Sequence, residues 1–366
     1  MSRRRFCYTG GLFPQVARAG EWFLRSGIQT PDGGVARYYR SDISQNLAVS
    51  NEITGYAASA LAYLHSVTGD TAFRDTAIRA ARFLTRQAWD AAASTFPFEP
   101  ESNRAYFFDT GIIVRGLLAA WRCSGEEEFL EPAREAALSL AFDFLGDGEY
   151  HPIIALPDKQ PLPHERRWSR SPGCYQLKSA LAWHDIAQAT GDQHAEKLYE
   201  SMLAASLQTH TSFLEAEPDR EKLMDRLHAY GYFLEGLLPV TARPEVRAAL
   251  AAGLAKASAL RREIAPAFER SDVPAQLLRV RLIAHHLNGI PLDETEAREE
   301  STRAASFQSA ADHPDLRLRG GFFFGSRRGQ MLPFSNPVST AFCAQALELW
   351  RQHQAGRWSF DLQQLI

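Results

Sequence analysis

Cysteine is scarce in this chain. Cys7, Cys123, Cys174 and Cys343 are scattered over 366 residues, without metal-like spacing or the density of a disulfide scaffold, so a reduced, cytoplasmic setting fits best. Charge of one sign is lacking too: 40 Lys and Arg stand against 43 Asp and Glu, and no global field points to nucleic acid. No apolar run approaches the roughly 20 residues that cross a bilayer, which argues against membrane insertion. The start "MSRRRFCYTGGLFPQVARAGEWF" is basic like a signal peptide, but Gly10, Gly11, Gln15, Arg18 and Glu21 interrupt any apolar segment, so it reads as uncleaved. Catalytic signatures are missing as well. No HExxH pattern, phosphate-cradling Gly loop or nucleophile elbow occurs, and the adjacent His285 and His286 would not share one helix face. No metal or cofactor is expected.

What is present is a repeat. "SNEITGYAASALAYLHSVTGDTAFRDTAIRAARFL", from Ser50 to Leu84, is echoed by "FDTGIIVRGLLAAWRCSGEEEFLEPAREAALSL" and "CYQLKSALAWHDIAQATGDQHAEKLYESMLAASL". In the first copy Tyr56, Ala57, Ala60, Leu61, Leu64 and Val67 follow helical spacing, while Tyr63 and Ala62 add apolar surface elsewhere, so this helix wants neighbours on more than one side. Thr68-Gly69-Asp70 then breaks it, Gly ending one helix and Asp capping the next. The following segment, 71–86, carries a narrower stripe of Phe73, Ala77, Ala80, Ala81 and Leu84, as an outer, half-exposed helix would.

The paired pattern recurs over 109–140, broken at Ser124-Gly125-Glu126, and over 174–207, broken at Thr190-Gly191-Asp192. Degenerate copies run over 228–260, broken between Pro239 and Pro244, and over 273–307, broken at Asn288-Gly289-Ile290-Pro291. A helix at 13–26 lacks a preceding partner and one at 337–352 lacks a following one. Joined, they make a sixth hairpin. That favours a closed all-α ring, an (α/α)6 toroid forming a single domain over 1–366, over an open solenoid whose terminal repeats need polar caps.

With all inner helices starting at one end, the longer connections gather at one mouth, and Arg and aromatic residues interleave in nearly all of them. A lone Arg beside Asp or Glu is ordinarily a surface ion pair of little weight; here it is the recurrence that marks a cleft. The substrate-binding candidates are Arg37, Tyr38, Tyr39, Arg40, Tyr106, Arg166, Arg167, Trp168, Tyr175, Tyr232, Phe324, Arg327 and Arg328. Guanidinium forks suit carboxylates and aromatic faces suit sugar rings, which together fit an acidic oligo- or polysaccharide.

For proton transfer the candidates are Glu52 and Asp109, at equivalent places in the first and second inner helices, with His164, Glu165, His228 and Tyr230. A carboxylate at a helix start is ordinarily a cap; pointed into a ring it becomes a general acid or base. Uronate epimerisation or elimination needs a base and a cation to hold the developing enolate. Glycoside hydrolysis needs two carboxyl groups about 5 to 10 Å apart, with Glu52, Asp109, Glu165, Asp225 and Asp272 to draw on. A non-catalytic glycan-binding or scaffold role, alongside polysaccharide-biosynthesis proteins, is the third reading.

The stretches "NEITGY", "SALAYLHSVTGD", "FDTG" and "RGLLAAW" resemble the six-hairpin toroid proteins found with bacterial exopolysaccharide biosynthesis, which are similar in plan to glucuronyl C5-epimerases and six-hairpin glycosidases. The first motif of that group is typically Tyr-Pro-Glu-Val-Thr-Gly-Tyr, matched here by Ser50, Asn51, Glu52, Ile53, Thr54, Gly55 and Tyr56. The second, Phe-Asp-Thr-Gly-Gln, is matched by Phe108, Asp109, Thr110 and Gly111, with Ile112 where Gln is usual. The resemblance covers roughly the first 210 residues and implies an (α/α)6 barrel. It departs at Ser50, Asn51 and Ile112, at the mouth where a ligand would sit. The fold hosts hydrolases, lyases, epimerases, terpene cyclases and binding proteins, so activity has to be read from the site.

Overall fold

The computed structural model describes residues 13–146, 148–215 and 217–366; the N-terminal leader reading and Cys7 lie outside them. Each Gly break ends a helix as its chemistry demands. Gly69 and Gly191 adopt positive φ of 73° and 78°, a conformation costly for any residue with a Cβ. Asp70 and Asp192 then accept from backbone N–H groups of the next helix.

Among the described residues there are twelve α-helices. Those of the inner ring are α2 (Asn51–Thr68), α4 (Phe107–Ser124), α6 (Leu177–Thr190), α8 (Arg220–Gly236), α10 (Asp272–His286) and α12 (Pro337–Gln354). The outer ring has α1 (Pro14–Arg25), α3 (Thr71–Phe83), α5 (Leu130–Phe142), α7 (Gln193–Phe213), α9 (Pro244–Ile264) and α11 (Glu294–Ala305). Burial separates the two sets. Every residue of α10 from Asp272 to Ala284 is buried, whereas α11 buries only Ala297, Glu300, Ser301 and Ala304. A helix enclosed by neighbours is buried on all sides, its polar residues paired inside; one at the rim needs a single apolar stripe.

The ring closes between α12 and α2, where Phe342 meets Tyr56 edge-on at 5.5 Å. Helix α1 packs beside α12 as the sixth outer member, held by Trp22 Nε1 donating to the Arg317 carbonyl at 2.7 Å. Adjacent inner helices approach closely where side chains vanish: a Cβ on Gly116 would lie 2.4 Å from the Gly55 carbonyl oxygen, and one on Gly111 2.4 Å from Ser179 Cβ. This is an all-α (α/α)6 toroid.

One element departs from the sequence expectation. The charged segment before His228 reads as a connection, yet α8 begins at Arg220, because the Asp219 side chain accepts from Glu221 and Lys222 N–H and caps it. Asp225, Arg226 and His228 therefore stand on a helix.

Short antiparallel strands lace the mouth. Tyr39–Arg40 pairs with Gln45–Asn46 and Phe334–Ser335, Arg104–Tyr106 with Ile153–Ala155, and Gly325–Arg327 with Phe268–Arg270 and Gln330–Met331. From the other end of the ring the segment 355–366 folds inward. There the Ile366 backbone oxygen accepts from Lys178 Nζ at 2.7 Å and Arg279 Nη1 at 3.2 Å. Both cations pair with Glu235, and all three side chains are fully buried. No helix among the described residues is long and apolar enough to cross a membrane.

Candidate active site

The starts of the inner helices and the laced loops enclose a funnel of about 610 Å³ at the mouth. Helices α2 and α4 bring Glu52 and Asp109 to it within their first turns. From across the ring, α8 and α10 bring Asp225, His228, Tyr232 and Asp272, and the end of the strand ahead of α10 brings Arg270. Arg37, Tyr38, Tyr106, Arg167, Trp168, Arg170, Phe324 and Phe334 form the upper wall.

The two sides of this funnel differ in charge state. Burial, tempered by Arg37, pushes the Glu52 carboxyl up to about 7. Asp109 is raised well above the usual carboxylate range by burial and then by the neighbouring Glu52 charge, against the pull of Arg37. Its Oδ2 has no hydrogen-bond partner among the described residues, so nothing at that atom supports the charged form and it faces its cavity unsatisfied. Arg37 is engaged by Glu99 and lies 4.9 Å over the Phe98 ring.

On the far side, burial alone would raise the Asp272 carboxyl, but Arg270 and His228 hold it below the usual range. Arg270 donates to it from Nε at 3.0 Å and Nη2 at 2.6 Å, and to Asp225 from Nη1 at 2.9 Å. His228 is driven down to about 4 by burial and by Arg270, with Asp272 pulling the other way. Its Nδ1 lies 2.8 Å from Gln276 Oε1 and 3.5 Å from Asp272 Oδ2. Two acceptors on one nitrogen fix the hydrogen there and leave Nε2 as the proton-accepting atom of a neutral imidazole. A site of this kind can offer a base at Nε2, two protonated carboxyls and an ionised one at the same pH.

Of the residues singled out from sequence, Glu52, Asp109, His228, Arg37, Tyr38, Tyr106, Arg167, Trp168, Tyr232 and Phe324 line the funnel. The rest do not, each for a visible reason. Tyr39, the first residue of its strand, points to the opposite side from Tyr38 and turns under it, donating to Asp315 Oδ2 at 2.6 Å. Arg40 folds onto Asp42. Tyr175 packs behind the wall against Trp168, its hydroxyl donating to the Ser171 carbonyl at 3.0 Å. Tyr230 lies on the outer side of α8, 2.9 Å from His210 Nδ1. Glu165 is exposed and pairs with Arg170. Arg166 and Arg328 are exposed beyond the rim, and Arg327 reaches Glu221 at 2.9 Å. His164 stands outside the funnel beside His151 and Glu149, the one group among the described residues arranged as metal ligands are.

Sequence reasoning put Arg270 among the mouth arginines without pairing it to Asp272, missed Gln276, and weighed Asp225 and Asp272 only as hydrolytic carboxylates. The signal available was "FERSD", an Arg two residues before an Asp at a helix start; what it lacked was His228, 44 residues earlier.

No protein-family model and no curated protein matches this chain. Solved structures do resemble it. Cellobiose 2-epimerase from Spirochaeta thermophila DSM 6192 superposes with a TM-score of 0.70 at 14% identity, over 92% of this chain and 95% of its own. A sugar epimerase from a ruminal bacterium gives 0.69 at 12% identity, over 91% and 96%. A family 76 glycoside hydrolase from a bovine Bacteroides thetaiotaomicron strain gives 0.64 at 12%, over 93% and 78%. At such identities the likeness is one of fold, the (α/α)6 toroid.

Proposed function

We propose that this protein is a carbohydrate-active enzyme acting on an acidic, uronate-containing oligo- or polysaccharide, by epimerisation or β-elimination next to the carboxylate. The observation that carries the reading is the division of the funnel: a neutral imidazole with Nε2 as its accepting atom on one side, and raised carboxyls beside Arg37 on the other. In this reading His228 takes the proton from the sugar carbon, while Asp109 and Glu52, protonated, donate hydrogen bonds to the enolate that forms. Arg167, at the rim and without a side-chain partner among the described residues, meets the substrate carboxylate, and Trp168, Tyr106 and Phe324 carry the sugar faces. Two of the folds it resembles belong to proteins named as sugar epimerases, which supports the class of chemistry.

Hydrolysis is the second reading, favoured by one specific feature. Glu52 and Asp272 share a cavity and have carboxyl groups pushed in opposite directions, as an acid and its ionised partner require.

Incubation in D2O with uronate oligosaccharides, followed by proton NMR, separates the two. Loss of the C5 proton signal or a new alkene signal is expected, with the rate falling by about 10² to 10⁴ in His228→Asn. New reducing ends without deuterium uptake would move the assignment to hydrolysis. A spectrum unchanged for every substrate would reject both.

A further inference from the structure

Outside the funnel, the connection between α5 and α6 contains a small hairpin, Leu145–Gly146 paired with Glu149–Tyr150. The His151 N–H continues the pairing by donating to the Phe144 carbonyl at 2.8 Å. Glu149 and His151 are two residues apart on an extended segment, so their side chains leave the same face. The His151 ring lies over Gly146, where a Cβ would sit 2.9 Å from its Nε2 and push the ring aside. That packing directs Nδ1 towards His164, whose Nε2 is 3.1 Å away. Glu149 Oε1 stands 3.8 Å from the same His164 nitrogen, and one ligand atom from each residue falls within 4.8 Å of the others.

We infer that Glu149, His151 and His164 form a binding site for a Zn²⁺-class divalent cation, which fastens the loop carrying Arg167, Trp168 and Arg170 to the hairpin beside it. Two imidazole nitrogens on a tetrahedral ion with bonds of about 2.0 to 2.1 Å lie about 3.3 Å apart, close to the spacing already present. Two imidazoles and one carboxylate suit Zn²⁺, Ni²⁺ or Co²⁺ and not Mg²⁺ or Ca²⁺, which prefer all-oxygen sites. His164 and Glu149 are 36% and 51% exposed, so an ion reaches them from solvent and water completes the shell. The consequence for the funnel follows from the chain: His164 precedes Arg167 by three residues, and Arg167 through Arg170 line the cavity. Pinning His164 shortens the free span of that loop and lowers the entropy it has left to lose when a ligand is bound. No sequence pattern announces the site, because the two histidines stand thirteen positions apart.

The full chain, freed of affinity tag and metal, is titrated calorimetrically with Zn²⁺ and separately with Mg²⁺. One equivalent of Zn²⁺ binds and Mg²⁺ does not. His164→Ala and His151→Ala, both near the surface, keep the cooperative unfolding of the parent and weaken Zn²⁺ binding by roughly 10- to 100-fold or more. Backbone amide exchange over residues 156–171 slows with Zn²⁺ in the parent and not in His164→Ala. Zn²⁺ binding unchanged in both His164→Ala and His151→Ala would put the ion elsewhere and overturn the site. Binding without slowed exchange over 156–171 would overturn the clamp. None of these readouts involves turnover, so they stand or fall independently of the proposed activity.

Discussion

Glu52 shows how much one residue's chemistry depends on where the ring puts it. At a helix start a carboxylate is ordinarily stabilised in its charged form by the backbone dipole; here burial overrides that and raises it from 4.5 to about 7. Folded Glu52 therefore holds a proton that the unfolded chain releases near 4.5. Its contribution to stability is full below that value and is lost as pH rises towards 7. Asp109 acts in the same direction. Glu52→Gln should thus flatten, without abolishing, the fall in unfolding free energy between about pH 4.5 and 7, measured by denaturant titration at several pH values. Equal slopes in parent and variant would mean Glu52 is charged in the folded protein, and the proposed acid role would go with it.

Between elements, the decisive contacts are those made by absent side chains. Gly55 and Gly116 face each other where α2 crosses α4, and a Cβ at Gly116 would enter the Gly55 backbone. Alanine is the better helix former by about 0.5 to 1 kcal/mol, yet the clash forces two helices of a closed ring apart. Gly116→Ala should lose about 1 to 3 kcal/mol of unfolding free energy, read from the shift of the denaturation midpoint. Sequence reading found both helices and their ends because caps and breaks are local. It placed the start of α8 too late, since a charged first turn capped by Asp219 looks like a loop when its buried side, Met224 and Leu227, carries so few apolar residues. It also sorted the mouth poorly: Tyr38 and Tyr39 are equivalent in composition, and strand pairing with Phe334 and Ser335 decides which one faces the funnel.

Across the whole molecule, Lys178, Glu235 and Arg279 join three inner helices in the buried interior. Burial lowers Lys178 to about 7 even with Glu235 beside it. Removing the shared carboxylate leaves two cations without their partner in a dry interior, so Glu235→Ala should destabilise by about 3 to 5 kcal/mol. If the chain is one domain, the loss appears as a shift of a single transition, coincident by fluorescence and circular dichroism. Two separated transitions would instead divide it.

The sequence by itself determined the hairpin rhythm and most helix ends, because these follow from periodicity, Gly at positive φ and Asp caps, all set within a few residues, and the unpaired first and last helices pointed to the ring. Tertiary structure alone decided which mouth residues meet. Arg270, Asp272, His228 and Gln276 come from two helices and a strand, and Lys178, Glu235 and Arg279 from three helices. Only closure of the ring removes these groups from water together, and removal from water is what shifts their protons and pairs their charges.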